Sequence, residues 1–173
     1  MTFSLDKSIE ILEKTPEVLS YMLNTLSPEW TSHNEGGDTW SVYDVVGHLI
    51  HGEKTDWIPR LEIILSNEPD KTFESFDRFA QFEASKGKSL AQLLDEFRRL
   101  RKISLEKLHS LGLIEMDSTK TGIHPSFGEV TLSQLIATWV VHDLNHIAQI
   151  SRVMAKQYKE AVGPWINYLR ILQ

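Results

Sequence analysis

The chain has 173 residues, of which 41% are hydrophobic and 24% are charged, and its formal net charge is −6. These values are typical of one folded globular domain and exclude a fibrous or disordered protein. The acidic charge argues against nucleic acid as a partner, and the lack of cysteine excludes disulfides and thiolate metal ligands.

The basic run at residues 97–102 is interpreted as a solvated helix face. We find no signal peptide or membrane span and therefore expect a cytoplasmic protein.

Hydrophobic residues recur at helical spacing over four long stretches of the chain. In chain order, the predicted helices span residues 5–26, 41–66, 89–111 and 131–158. Val18 and Tyr21 are placed on the buried side of the first helix, and Ile103 on the buried side of the third. Pro16 and Pro59 are expected to kink or interrupt the first and second helices, because proline lacks the N–H that a helix interior needs.

The segments between the helices contain capping residues but few strand signals. Residues typical of helix N-caps stand at Ser41, Ser89 and Thr131. The linkers over residues 28–40, 67–88 and 113–130 are long, and such linkers often cover or shape a site. A shorter helix is predicted after Pro164. The sequence therefore predicts an all-α fold, a four-helix bundle with long connections and a short C-terminal helix, in a single domain over residues 1–173.

Two histidines of the fourth predicted helix, His142 and His146, carry the strongest functional signal. They are four residues apart, so their side chains lie one turn apart on one face, and both imidazoles can reach one metal ion. They fall within the hydrophobic stripe of that helix, where an unpaired polar group costs about 1–3 kcal/mol. A shared metal ion would satisfy both rings, while hydrogen bonds to carboxylates or backbone groups are the alternative.

A third ligand would leave at least one coordination position open, as in catalytic metal sites. His48 and His51 on the second predicted helix are the alternatives for this ligand. Glu53 and Asp56 follow on the same helix, either as groups that support the site or act as bases, or as a solvated acidic edge. The remaining histidines are interpreted as surface residues unless a linker folds over the site: His33, His109 and His124.

The order of these motifs resembles the DinB-like superfamily of metal-dependent enzymes. The resemblance rests on the segments 40–49, 124–132, 142–150 and 158–172. It implies a four-helix bundle that holds a divalent ion, zinc or nickel above all, on His48, His142 and His146. It also implies a homodimer, and some members of the superfamily are transferases or isomerases that use small cellular thiols.

Four functions are compatible with the sequence. The first is a metal-dependent enzyme that acts on a small molecule, as a transferase using a low-molecular-weight thiol or as a hydrolase. The second is a zincin-type protease, which we disfavour because Asp143 stands where the catalytic Glu of H-E-x-x-H is expected. The third is a metal-binding or sensing module without turnover, and the fourth is an interaction protein with core histidines.

Overall fold

The structure is a computed structural model that describes residues 2–173, with backbone alone at positions 115 and 116. Its helices are α1 (Leu5–Leu23), α2 (Pro28–Ser32), α3 (Val42–Thr55), α4 (Trp57–Leu65), α5 (Ala80–Ser85), α6 (Leu90–Ser110) and α7 (Leu132–Lys156). Two short strands, β1 (Thr121–His124) and β2 (Gly128–Thr131), pair as an antiparallel hairpin. Short 3₁₀ helices span Glu115–Thr119, Gly163–Tyr168 and Arg170–Leu172.

The four long helices α1, α3, α6 and α7 form the predicted bundle. Helix α3 packs against α6 and α7, and α1 packs against the same two helices. The three predicted N-caps, Ser41, Ser89 and Thr131, all form capping boxes with the residue three positions later. Each box satisfies two backbone donors at a helix start and so fixes where α3, α6 and α7 begin.

The second predicted helix divides at Asp56 rather than at Pro59. Helix α3 ends at Thr55 and α4 begins at Trp57, which places Pro59 in the first turn of α4. Proline is tolerated there because the first N–H groups of a helix have no intrahelical acceptor. The chain thus continues in a new direction without losing a hydrogen bond to the proline.

Helix α1 passes through Pro16 without a break, contrary to the expected interruption. Proline at this position leaves the carbonyl of Leu12 without its usual intrahelical donor. The Nη1 of Arg101 donates to that carbonyl at 2.8 Å. A side chain from α6 therefore replaces the missing backbone donor.

Several burial predictions are wrong at the edges of the helical stripes. Val18, Tyr21 and Ile103 are 42%, 92% and 50% exposed, so they lie outside the core. Arg101, which was assigned to a solvated face, is buried. A helical period identifies the buried face only approximately, and the neighbouring helix decides which residues at the edge of that face are covered.

The third linker contains the hairpin, which the sequence did not predict. Its loop has three residues followed by Gly128, whose φ of +73° is a conformation that glycine adopts readily. Phe73 from the second linker donates a backbone hydrogen bond to Ile123 of β1. The C-terminal segment after Pro164 forms 3₁₀ turns rather than an α-helix. Over residues 2–173, no helix has both the length and the hydropathy of a membrane span.

Candidate metal centre

Three imidazoles meet between α3 and α7. The Nε2 of His142 lies 3.0 Å from the Nε2 of His48 and 3.1 Å from the Nε2 of His146. One nitrogen from each ring lies within 4.8 Å of the other two. Imidazole nitrogens at ~2.0–2.1 Å from a common ion would be about 3.0–3.4 Å apart, so the observed separations fit joint coordination. His51 lies outside this group and packs against the ring of Phe76 at 4.8 Å.

Aromatic side chains from the linkers and from α4 surround these imidazoles. The ring of Trp40 lies 4.9 Å from that of His48, and the ring of Phe76 lies 5.4 Å from it. Trp57 contacts His142 edge to face at 5.0 Å. These contacts limit ring rotation, so the three nitrogens stay directed at a common point.

Burial keeps the three imidazoles in their neutral form. Burial above all, together with the neighbouring histidines, lowers the pKa of His48 to about 3 and that of His142 to about 2. Burial also lowers the pKa of His146, although the hydrogen bond to Gln149 opposes this shift. Neutral imidazole is the form that coordinates a metal ion.

The tautomer of His146 is consistent with metal binding. Its Nδ1 lies 2.8 Å from Oε1 of Gln149, which can only accept, so Nδ1 carries the proton and Nε2 presents a lone pair to the site. Among the described residues, Nδ1 of His48 and Nδ1 of His142 are buried without a hydrogen-bond partner. With all three rings protonated on Nδ1, the three Nε2 lone pairs would point at one another and repel, and a cation between them would remove the repulsion. The donor set therefore fits a divalent ion.

A buried ionic network lies next to these histidines and joins three helices. Arg101 of α6 donates to Glu53 of α3 at 2.8 Å and to Asp143 of α7 at 2.6 Å. The indole N–H of Trp139 donates to the same oxygen of Glu53 at 3.1 Å. Burial raises the pKa of Glu53, while the charge of Arg101 opposes that shift. The interpretation of Glu53 as a solvated edge is therefore wrong.

The same network argues against the zincin interpretation. The catalytic carboxylate of H-E-x-x-H must face the metal and the substrate. Both carboxylate oxygens of Asp143 instead accept hydrogen bonds from Arg101, and the residue is fully buried. Asp143 therefore stabilises the packing of α7 against α6 and is not placed to act as a base.

A cavity of about 720 Å³ opens in front of the three imidazoles. All three long linkers contribute to its wall, as expected from their lengths. Its aromatic and aliphatic lining includes Trp40, Trp57, Phe73, Phe76, Phe127 and Leu135. Its polar lining includes Asp56, Arg60, Arg78, His124 and Gln149. His124 was interpreted as a surface residue, but it is half-buried in this wall because the hairpin folds over the cavity.

Comparisons with known proteins identify a family and a shared fold. A family model described as the DinB superfamily matches residues 11–150. Among solved structures, the chain is similar to one described as "YfiT from Bacillus subtilis is a probable metal-dependent hydrolase with an unusual four-helix bundle topology". The TM-score is 0.75 at 21% identity, and the match covers 90% of each chain, which shows a shared fold. The comparison with curated proteins gives no match.

Proposed function

The chain belongs to the DinB superfamily, and on that premise we propose that it is a metal-dependent enzyme acting on a small molecule. In this proposal, His48, His142 and His146 hold a divalent ion, with zinc or nickel as the expected metal. The observation that carries it is the convergence of three neutral imidazole nitrogens at one side of a large cavity.

The protein would supply three neutral ligands and a largely apolar chamber. A divalent ion bound there lowers the pKa of a coordinated water toward ~7 and deprotonates a coordinated thiol. Three protein ligands leave coordination positions open toward the cavity. A bound substrate that displaces water from the aromatic walls would strengthen electrostatic interactions within the cavity.

Two reactions are compatible with such a site. Glu53 and Asp143 are engaged with Arg101, so neither is placed to activate a nucleophile. Neither nucleophile needs such a base, because the bound ion would lower the pKa of a coordinated water and of a coordinated thiol alike. Thiol transfer to an electrophile is therefore one candidate. Hydrolysis is the alternative, supported by the description of the similar Bacillus subtilis protein as a probable metal-dependent hydrolase. Turnover of an electrophile only with added glutathione, mycothiol or bacillithiol would indicate transfer, and thiol-independent ester cleavage would indicate hydrolysis.

Elemental analysis of the purified protein tests the metal site directly. We expect about one equivalent of divalent metal in the wild type and near-complete loss in His48→Ala and in His146→Ala. His51→Ala is the matched control, because His51 lies one turn from His48 on the same helix but outside the group. Metal retained in both ligand variants, or absent from wild type purified without chelator, would contradict the proposal. Tight metal binding with neither reaction would favour a sensing module.

A further inference from the structure

A second polar cluster, Asp56 and Arg60, lies in the cavity wall. Each residue is 8% exposed, and both line the cavity. The Nε of Arg60 lies 2.5 Å from Oδ1 of Asp56. Charged side chains are rarely buried to this extent unless they are paired or bind something.

This cluster is separated from the three imidazoles along α3. His48, Gly52 and Asp56 all line the cavity, and their spacing of four residues places them on one helical face. A rise of 1.5 Å per residue puts the backbones of His48 and Asp56 about 12 Å apart. Trp57 lines the cavity and contacts His142. The cavity therefore contains a polar pair, Asp56 and Arg60, apart from the three imidazoles along α3.

The guanidinium of Arg60 has more donors than its protein contacts use. Its Nε contacts Asp56, and its Nη2 donates to the carbonyl of Glu74 at 3.4 Å. The cation lies over the ring of Phe73, 5.2 Å from the centroid. A guanidinium has five N–H groups, and among the described residues only the Nη2 contact with Glu74 is a hydrogen bond, while the contact with Asp56 is an ion pair. The other donors are available to an acceptor in the cavity.

His124 provides a second donor beside Arg60. The backbone N–H of Ser126 donates to Nδ1 of His124 at 3.1 Å, so the proton of the neutral ring lies on Nε2. Burial, followed by the charge of Arg60, lowers the pKa of His124, which keeps the ring neutral. The His124 ring contacts Phe73 edge to face, and Phe73 is also the ring under Arg60. Two donors therefore flank one aromatic ring.

We propose that Arg60 and His124 form a second binding site that accepts an sp² oxygen, as in a carboxylate or an amide carbonyl, at the far end of the substrate. The near end of the same molecule reaches the three imidazoles. Asp56 holds the guanidinium in place through its Nε edge. The site would select elongated molecules with an acceptor at a fixed distance from the reacting group. This inference rests on the proposed function and specifies its substrate class.

A series of thiols with different tails tests this proposal by direct binding. The probes are HS–(CH2)n–X, with X a carboxylate, a carboxamide or a methyl group, added to the Co²⁺-loaded protein. Thiolate-to-cobalt absorption reports coordination of the sulfur, and its titration gives Kd. We expect an optimum at one chain length n, where carboxylate or carboxamide binds about tenfold more tightly than methyl. The two polar series distinguish an anionic ligand from a neutral one.

His124→Phe should remove most of this tail preference. Phenylalanine keeps a ring to stack on Phe127 but has no N–H donor. His109→Phe is the matched control, since His109 is exposed on α6 and does not line the cavity, and it should keep the full preference. Arg60→Lys is a second variant that keeps the charge and loses the planar fork, and it should also weaken the preference.

The outcomes separate the two proposals. The second site would be overturned if thiols coordinate cobalt equally well whatever their tail. It would also be overturned if the tail preference is unchanged in His124→Phe and Arg60→Lys. Neither result would contradict the metal site. Failure of the wild type to bind cobalt would contradict the metal site and the second site together. Bound cobalt without thiolate absorption would overturn the two-ended ligand and the thiol-transfer reaction, but not metal binding.

Discussion

The three imidazoles differ in what holds the nitrogen that faces away from the site. His146 donates from Nδ1 to Gln149, while Nδ1 of His48 and Nδ1 of His142 have no partner among the described residues. Outer hydrogen bonds to a ligating histidine fix its tautomer and its ring orientation. His146 is therefore the proposed ligand whose orientation is best defined without a metal.

Removal of this hydrogen bond should weaken metal binding. In Gln149→Ala we expect a 10–100-fold larger Kd for Zn²⁺, because His146 loses the acceptor that fixes its tautomer. Competition with a chromophoric chelator measures this change. Asn145→Ala, an exposed position on the same helix, is the control and should keep the wild-type Kd. Equal Kd values for the two variants would show that Gln149 does not support the site.

The depressed histidine pKa values predict how the stability of the metal-free protein depends on pH. The pKa of His142 is near the usual 6.5 when the chain is unfolded but about 2 when it is folded, because burial disfavours the charged ring. The unfolded chain therefore binds more protons below pH 6.5, and stability is lost as the pH falls. Each such histidine contributes a loss of about 1.4 kcal/mol between pH 7.5 and 5.5.

Urea unfolding of the metal-free protein at these two pH values measures the effect. Asp56 shifts the stability in the opposite direction, because burial raises its pKa to about 6. The change in the free energy of unfolding of the wild type is therefore the sum of both effects. The comparison with His142→Gln isolates one imidazole, and the variant should lose about 1.4 kcal/mol less than the wild type between the two pH values. The same loss in both proteins would mean that His142 is protonated in the folded state.

At the scale of whole helices, Arg101 connects most of the bundle. It reaches the Leu12 carbonyl of α1, Glu53 of α3 and Asp143 of α7 from its own position on α6. Removal of one partner from a buried ionic network leaves an uncompensated charge and costs about 3–5 kcal/mol. The network therefore controls how the two histidine-bearing helices are held together.

Arg101→Met should accordingly destabilise the fold by about 3–5 kcal/mol, as measured by urea unfolding. The matched control is Arg99→Met on the exposed side of the same helix, where the change should stay within about 0.5 kcal/mol. The triple variant that adds Glu53→Gln and Asp143→Asn should recover part of the loss, because the unpaired charges are then gone. A small effect of Arg101→Met would show that the carboxylates find other partners.

The sequence predicted the long helices well but not their edges or the hairpin. The capping boxes at Ser41, Ser89 and Thr131 are local signals, and they mark the helix starts correctly. The burial of Arg101 depends on carboxylates 48 and 42 residues away, a relation that no local pattern contains. The hairpin likewise has a three-residue loop rather than a two-residue turn with a strong sequence signal.

In the candidate site too, features with a local sequence signal could be predicted and those that depend on distant contacts could not. His142 and His146 could be found from their spacing, because four residues make about one helical turn. The choice of His48 over His51 needed the family resemblance, since both lie on the same predicted helix. Asp56 was interpreted as a supporting group or base of the site or as part of a solvated edge, and its pairing with Arg60 depends on the break between α3 and α4. The position of His124 in the cavity wall depends on the unpredicted hairpin.

For the molecule as a whole, metal binding should stabilise the fold, because the proposed ligands come from two helices that unfolding separates. At a free metal concentration 100 times Kd, the stabilisation is about 2.7 kcal/mol, which corresponds to a rise in Tm of roughly 5–10 °C for a chain of this length. Thermal unfolding with Zn²⁺ and after removal of Zn²⁺ by chelator measures this rise. His48→Ala should show no such rise, and an equal rise in that variant would place the metal elsewhere.

Two features of the organisation of the chain stay predictions. These are the single domain over residues 1–173 and the homodimer that the family resemblance implies. Sedimentation equilibrium of the purified protein distinguishes the monomer mass of 19.9 kDa from twice that value.

The network around Arg101 also has a consequence for the order of folding. Its contacts join residues 42, 48 and 89 positions apart in the chain, so none forms within a single helix or hairpin. A partly docked intermediate would hold the guanidinium away from water without its full set of acceptors, which disfavours such states. We therefore expect the bundle to assemble cooperatively and the pocket for the metal to appear only in the last kinetic step.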